Sequence, residues 1–218
     1  MSLFEDLFED IPALSPVQFF GLSADCQFLR GSLKKEKGTM LPCTNDLLDE
    51  ECFADVYAAW NFEKLCFHFV VNRPYQKTVE PDFRKGDSIE LFIDTRDLKT
   101  KGVVTRFCHH FVFFPVEVKN FLGQEITRFR NEDTHRLCHP EDLQVAVDLH
   151  EKSYELSIEI PAHCLHGYDP LSFSRIGFTY RINRFEQPPQ HFAVSSEEYN
   201  IEQHPATWGT LKLLKDSD

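Results

Sequence analysis

Apolar side chains return at every second position along much of this chain, the period of a strand with one buried face. Leu65, Phe67, Phe69 and Val71 alternate with Cys66, His68 and Val70, and Ile89, Leu91 and Ile93 alternate with Glu90, Phe92 and Asp94. The same rhythm runs through Leu143–Leu149, Tyr154–Ile160 and Ile176–Ile182. Further strand candidates are 17–22, 53–60, 107–114, 124–130, 191–195 and 207–214. Turn-forming groups separate them: Asn72-Arg73-Pro74, Lys101-Gly102, His139-Pro140, Asp169-Pro170 and Pro188-Pro189. Roughly ten short strands without a long helical pattern predict an all-β fold, an antiparallel jelly-roll or immunoglobulin-like β-sandwich over residues 16–218. The long connections 72–87 and 161–175 suit crossovers between two sheets, and such loops often build binding sites.

Two segments break the rhythm. Leu3-Phe4-Glu5-Asp6 is repeated at once as Leu7-Phe8-Glu9-Asp10, which puts Leu3, Phe4, Leu7 and Phe8 on one face of a short helix. This predicts an acidic, helical N-terminal extension over residues 1–15. It either packs on its own domain or docks through residues 1–12 into a groove on a protein partner. Residues 31–50, with Lys34-Lys35-Glu36-Lys37-Gly38 and then Asp46, Asp49 and Glu50, read as loop.

Composition narrows the function. A core of some size is available, with 21 Phe among 218 residues, whereas a formal charge of −12 argues against nucleic acid or an anionic membrane as partner. No apolar run approaches the ~20 residues that span a bilayer. The start of the chain lacks the basic, apolar and small-residue succession of an export signal. Seven widely spaced cysteines, an odd number, predict reduced thiols in a cytoplasmic, bacterial protein.

Three groups of residues offer chemistry. Glu90, Phe92 and Asp94 share the face of 86–96 that points away from the core, entered through Phe83-Arg84-Lys85-Gly86. Carboxylates beside an aromatic ring suit a hydroxyl-rich ligand such as a sugar, and equally describe a solvated sheet face. Cys108-His109-His110 and His135-x-x-Cys138-His139 supply the donors zinc prefers, with Cys108, His110, His135, Cys138 and His139 as the set to consider. Neighbours on a strand point to opposite faces, however, so His109 and His110 cannot share one ion, and no metal is assigned. Asp94 with Asp97, and Glu132 with Asp133, lack the regular ligand ladder of a strong calcium loop.

The order of several short motifs is similar to that of the family 9 carbohydrate-binding modules, jelly-roll sandwiches related to DOMON-type domains. Ala59-Trp60-Asn61-Phe62-Glu63-Lys64-Leu65 resembles the family's Trp-Asp turn, and Asp87 to Asp94 its Asp-Ser-Val-Glu-Ile-Phe-Ile-Asp signature. Tyr154–Pro161, Ile176-Gly177-Phe178 through Asn183, and Trp208-Gly209-Thr210-Leu211 resemble three later strands, so the likeness spans about residues 51–214. The chain also resembles uncharacterised bacterial proteins that share Phe107-Cys108-His109-His110-Phe111. The resemblance implies a non-catalytic module that recognises a saccharide by ring stacking and hydrogen bonds. Glu90 matches the family's acidic sugar ligand, and Arg181 stands where the family has Gln. Phe83 and Tyr199 are the aromatics nearest the two clamp Trp positions, while Arg84 and His110 fall at the rim. A structural Ca²⁺ is the one ion the resemblance adds. Two other readings stand beside it, a protein-interaction module and a Cys/His metalloprotein.

Overall fold

The structure is a computed structural model and describes residues 21–215. The N-terminal repeat, its expected helix and most of the strand expected at 17–22 lie outside the described residues. Eleven strands follow: β1 (Ser23–Phe28), β2 (Ala54–Trp60), β3 (Lys64–Val71), β4 (Ser88–Asp94), β5 (Cys108–Val118), β6 (Phe121–Glu125), β7 (Gln144–Leu149), β8 (Tyr154–Pro161), β9 (Arg175–Arg184), β10 (Gln187–His191) and β11 (Gly209–Leu213). A one-turn helix, α1 (Asn45–Leu48), interrupts the segment expected to be loop. Among the described residues no helix is long and apolar enough to cross a membrane.

The strands make one continuous path, β6-β5-β4-β9-β11-β1-β2-β3-β8-β7. β11 pairs with the first half of β9, and β10 continues along that edge beyond it. Eight of the pairings are antiparallel, as expected. β1 is the exception, running parallel to β11 through Ser23–Cys26 and parallel to β2 through Gln27 and Phe28. No tight hairpin joins β1 to either neighbour, so nothing forces the antiparallel sense. β1 thus links two halves of the sheet, and the path bends over until Phe67 of β3 lies flat on Phe178 of β9, 5.1 Å between ring centres. Phe69 meets Tyr180 edge-on beside that stack.

β8 behaves as its sequence predicts: Tyr154, Leu156, Ile158 and Ile160 are fully buried while the residues between them are half-buried. The central strands differ, because every residue of β4 is buried. Ile89, Leu91 and Ile93 enter the main core. Phe92, on the other face, joins a second apolar cluster with Val104, Cys108, Val194, Ile201 and Trp208. Loops therefore cover the face expected to carry Glu90, Phe92 and Asp94 to solvent, since burying Trp208 and Ile201 outweighs leaving Phe92 wet.

Motif residues prove to be fasteners. Asn61 Oδ1 accepts the backbone N–H groups of Glu63 and Lys64, closing the β2–β3 turn, and Trp60 Nε1 donates to the Leu214 carbonyl. Asp87 accepts from the backbone of Gln76, Lys77 and Phe185 and so holds three segments together. Gly177 pairs with Asp94, and a Cβ there would lie 3.1 Å from both Asp94 Cβ and Asp97 Oδ1. Pro188 and Pro189 do not break the chain as expected. They sit inside β10, which pairs with β9 alone through a bulged register that tolerates their missing N–H groups. Nor are all thiols free: Cys138 and Cys164 form a disulfide, their Cα atoms 4.9 Å apart. They are 26 residues apart, a spacing with no local signature.

The Phe67–Phe178 stack ties the two halves of the sheet together. Phe67→Ala should lower the unfolding free energy by about 3–5 kcal/mol, read from urea denaturation; a change under about 1 kcal/mol would mean that the halves are joined elsewhere.

Candidate binding site around Glu90

β4 and β9 lie side by side with Glu90 opposite Arg181 in the register, so pairing alone places a carboxylate next to a guanidinium. Arg181 grips it with two bonds, Nε to Oε1 at 2.7 Å and Nη2 to Oε2 at 2.9 Å. Asn183, two residues on and on the same face, donates Nδ2 to Oε1 at 2.8 Å. From the other side β5 supplies His110, whose Nε2 donates to Oε2 at 2.8 Å while its ring stacks on Phe92. Arg84, in the short 3₁₀ turn Phe83–Lys85, approaches Oε2 at 3.5 Å.

Glu90 is fully buried and Arg181 nearly so. Burial pushes the Glu90 carboxyl up, but the His110 hydrogen bond and the Arg181 charge outweigh it and hold the group well below the usual carboxylate range. Above this network runs the loop between β10 and β11. Its Glu202 forms ion pairs with Arg84 and with Arg181. Trp208 Nε1 donates to the Ile201 carbonyl at 2.7 Å and pins the loop to the second cluster.

A cavity of about 20 Å³ remains beneath the loop, touching Phe83, Arg84, His110, Arg128, Glu202 and Gln203. That is room for about one water molecule. Arg84 also borders an open groove of about 600 Å³, with Lys77, Lys85, Arg184, Phe185 and Gln187 among its walls. Four of the six residues expected to bind ligand, Glu90, Arg181, His110 and Arg84, converge on one network, and Phe83 flanks it. Tyr199 instead packs against the Phe92–Trp208 cluster. Asn183 and Glu202 were not anticipated. Asn183 had a readable signal, lying two residues from Arg181 on one strand face; Glu202 sits in a loop and had none.

The five residues considered for zinc do not meet. Cys108 is buried against Thr105, and burial, reinforced by Asp94, pushes its thiol up to about 12, which disfavours a nucleophilic thiolate. His110 is on Glu90, Cys138 is in the disulfide, and exposed His139 contacts Arg136. His135 lies elsewhere, with His109 and Glu125. Of the acids considered for calcium, Asp94 accepts the backbone N–H groups of Arg96 and Leu98, Asp97 accepts from Thr210 and pairs with Lys99, and Asp133 pairs with Arg106.

Glu90→Gln leaves buried Arg181 with only the more distant Glu202 carboxylate, so a loss of about 3–5 kcal/mol is expected in urea denaturation at neutral pH. The depressed carboxyl contributes stability above its unfolded-state value of about 4.5 and loses it as pH falls towards the folded-state value. Wild-type stability should therefore drop more steeply below about pH 4.5 than that of Glu90→Gln. Parallel slopes for the two proteins would show that Glu90 is not held charged.

No protein-family model and no curated protein matches this chain. Among solved structures, a family 9 carbohydrate-binding module from Caldicellulosiruptor kristjanssonii in complex with glucose superposes with a TM-score of 0.62 at 13% identity. The match covers 90% of this chain and 97% of that one. A family 9 carbohydrate-binding module from Caldicellulosiruptor kristjanssonii in complex with cellotriose gives 0.58 at 13% identity, covering 90% and 95%. At such identity the likeness is one of architecture, and this chain has a fold like that of the family 9 carbohydrate-binding modules.

Proposed function

We propose that this protein is a non-catalytic saccharide-binding module of jelly-roll sandwich form, and that its ligand is gripped where Glu202 now lies. The observation that carries this reading is the convergence of Glu90, Arg181, Asn183, His110 and Arg84 on the loop-covered face of β4, β5 and β9. The neighbours of like fold hold glucose and cellotriose. A single small cavity does not admit a pyranose, and Glu202 is the reason. Its carboxylate takes hydrogen bonds from Arg84 and Arg181 that a ring hydroxyl would otherwise receive.

In this reading the ligand displaces Glu202, gains the Arg84 and Arg181 donors, and extends into the open groove that Arg84 also borders. Arg84 is well placed for this because its side chain is 40% exposed while Glu90 is sealed beneath it. Phe83, beside Arg84, offers a ring for stacking, and Tyr199 moves with the loop that carries Glu202. Recognition of this kind breaks no bond.

Titration calorimetry with glucose, cellotriose and a wider glycan panel tests the proposal. Glu202→Ala removes the internal competitor and should tighten binding about tenfold or more, since a larger fraction of molecules is then open. Phe83→Ala should weaken it roughly 2- to 10-fold through lost stacking. Folded wild-type and Glu202→Ala proteins that both stay silent across the panel would overturn the assignment.

A further inference from the structure

Successive residues of β5 send two imidazoles in opposite directions. His110 faces Glu90 on the loop-covered side; His109 faces the core side and finds a different acid, Glu125, on β6. Register explains the second meeting, since Phe111 is paired with Glu125 and His109 shares the Phe111 face. A third element closes the group. The loop after β6 brings His135 onto the same carboxylate oxygen, so Glu125 Oε1 lies 2.9 Å from His109 Nδ1 and 2.8 Å from His135 Nε2. The two imidazole rings are 4.2 Å apart, and none of the three side chains is more than 1% exposed.

We propose that His109, Glu125 and His135 form a binding site for one divalent transition-metal ion of the zinc class. Donor type and reach agree with this: two imidazole nitrogens and one carboxylate oxygen lie within 4.8 Å of one another. Metal–ligand bonds of ~2.1 Å at a tetrahedral angle separate donors by ~3.4 Å, so outward shifts of about half an ångström admit the ion.

The surroundings are those of metal ligands rather than of a solvated ion pair. His135 Nδ1 donates to the Arg106 carbonyl at 2.7 Å, which fixes the ring and turns Nε2 towards Glu125. A backbone carbonyl on the far nitrogen is the usual support for a metal-bound imidazole. The Nε2–Oε1 contact at 2.8 Å is bridged by a proton, whose place between the two donors a metal ion would take. Glu125 is itself held, by Thr127 Oγ1 at 2.7 Å on Oε1 and by the Cys138 N–H at 2.6 Å on Oε2. His109 Nε2 is buried without a hydrogen-bond partner. Binding at Nδ1 moves the ring proton to that atom, beside the His166 backbone. The proton released from the His135–Glu125 contact passes to solvent. With three protein donors, a fourth position is left for a water molecule.

Enclosure predicts that the ion is taken up as the chain folds and that it fastens the loop after β6 to β5. Elemental analysis of untagged protein refolded with Zn²⁺ should find about one ion per chain, and Co²⁺ should give the visible absorption of a low-symmetry site. His135→Gln and Glu125→Gln should each lower retention at least tenfold after dialysis. Among the described residues the other cluster of donor side chains is Cys138, Cys164 and Asp142, which offers thiolates only when its disulfide is reduced. A Cys138→Ser/Cys164→Ser protein should keep its metal. Metal lost from that double variant but kept by His135→Gln would overturn the proposal. So would wild-type protein that refolds metal-free with the same thermal midpoint in chelator as in Zn²⁺, a readout that holds even where a variant fails to fold.

Discussion

Glu90 and Arg181 sit at the point on which the structure around them depends. A carboxylate taken wholly out of water is tolerated only when paired and hydrogen-bonded on every side. Here the bidentate guanidinium, Asn183 and His110 meet that demand from three strand positions. Because the partners come from β4, β5 and β9, the pair also sets the register of the three strands that carry the site. The outer loop can then close over a face that would otherwise expose charge beside Phe92.

That closure accounts for the unusual character of the central strands. In β8 the pleat divides buried from half-buried residues, as a one-sided strand should. In β4 the pleat divides two interiors: aliphatic residues enter the main core, while Glu90 and Phe92 enter a smaller compartment under the loop. β5 shows the same division with its histidines. His109 and His110, adjacent in sequence, serve Glu125 and Glu90 from opposite faces of the strand. The saccharide site we propose and the metal site we infer therefore occupy opposite faces of the same strand. Thr127 connects the two, accepting the His110 N–H and donating to Glu125 Oε1.

Much of the fold was legible because its signal is local. The alternation in Phe67–Val71, Tyr154–Ile160 and Ile176–Ile182 reflects a physical two-residue period, and those strands formed where the pattern placed them. The Trp60-Asn61 turn and the Asp87-Ser88 strand start were equally visible, since their hydrogen bonds run to nearby backbone. Pro188 and Pro189 misled because proline excludes a central strand position but not a bulged edge, and only the pairing pattern distinguishes these. The Cys138–Cys164 bond and the parallel course of β1 likewise depend on segments far apart in the chain.

In the sequence by itself, alternation located β3, β4, β7, β8 and β9 and the face of each that points away from the core, whereas β1, β6 and β10 are displaced from the segments 17–22, 124–130 and 191–195 where strands were expected. Strand period and turn chemistry, properties of a few neighbouring residues, pointed to Glu90 and Arg84, while Arg181 and His110 entered through the resemblance to the family 9 modules. Tertiary structure alone decided that this face is roofed, that Glu202 is the group lying across it, and that His109 and His135 meet at one oxygen of Glu125. Those outcomes follow from where long loops land. A loop's landing place is chosen by the total apolar surface it covers and the charges it satisfies, sums over distant residues that no local pattern contains.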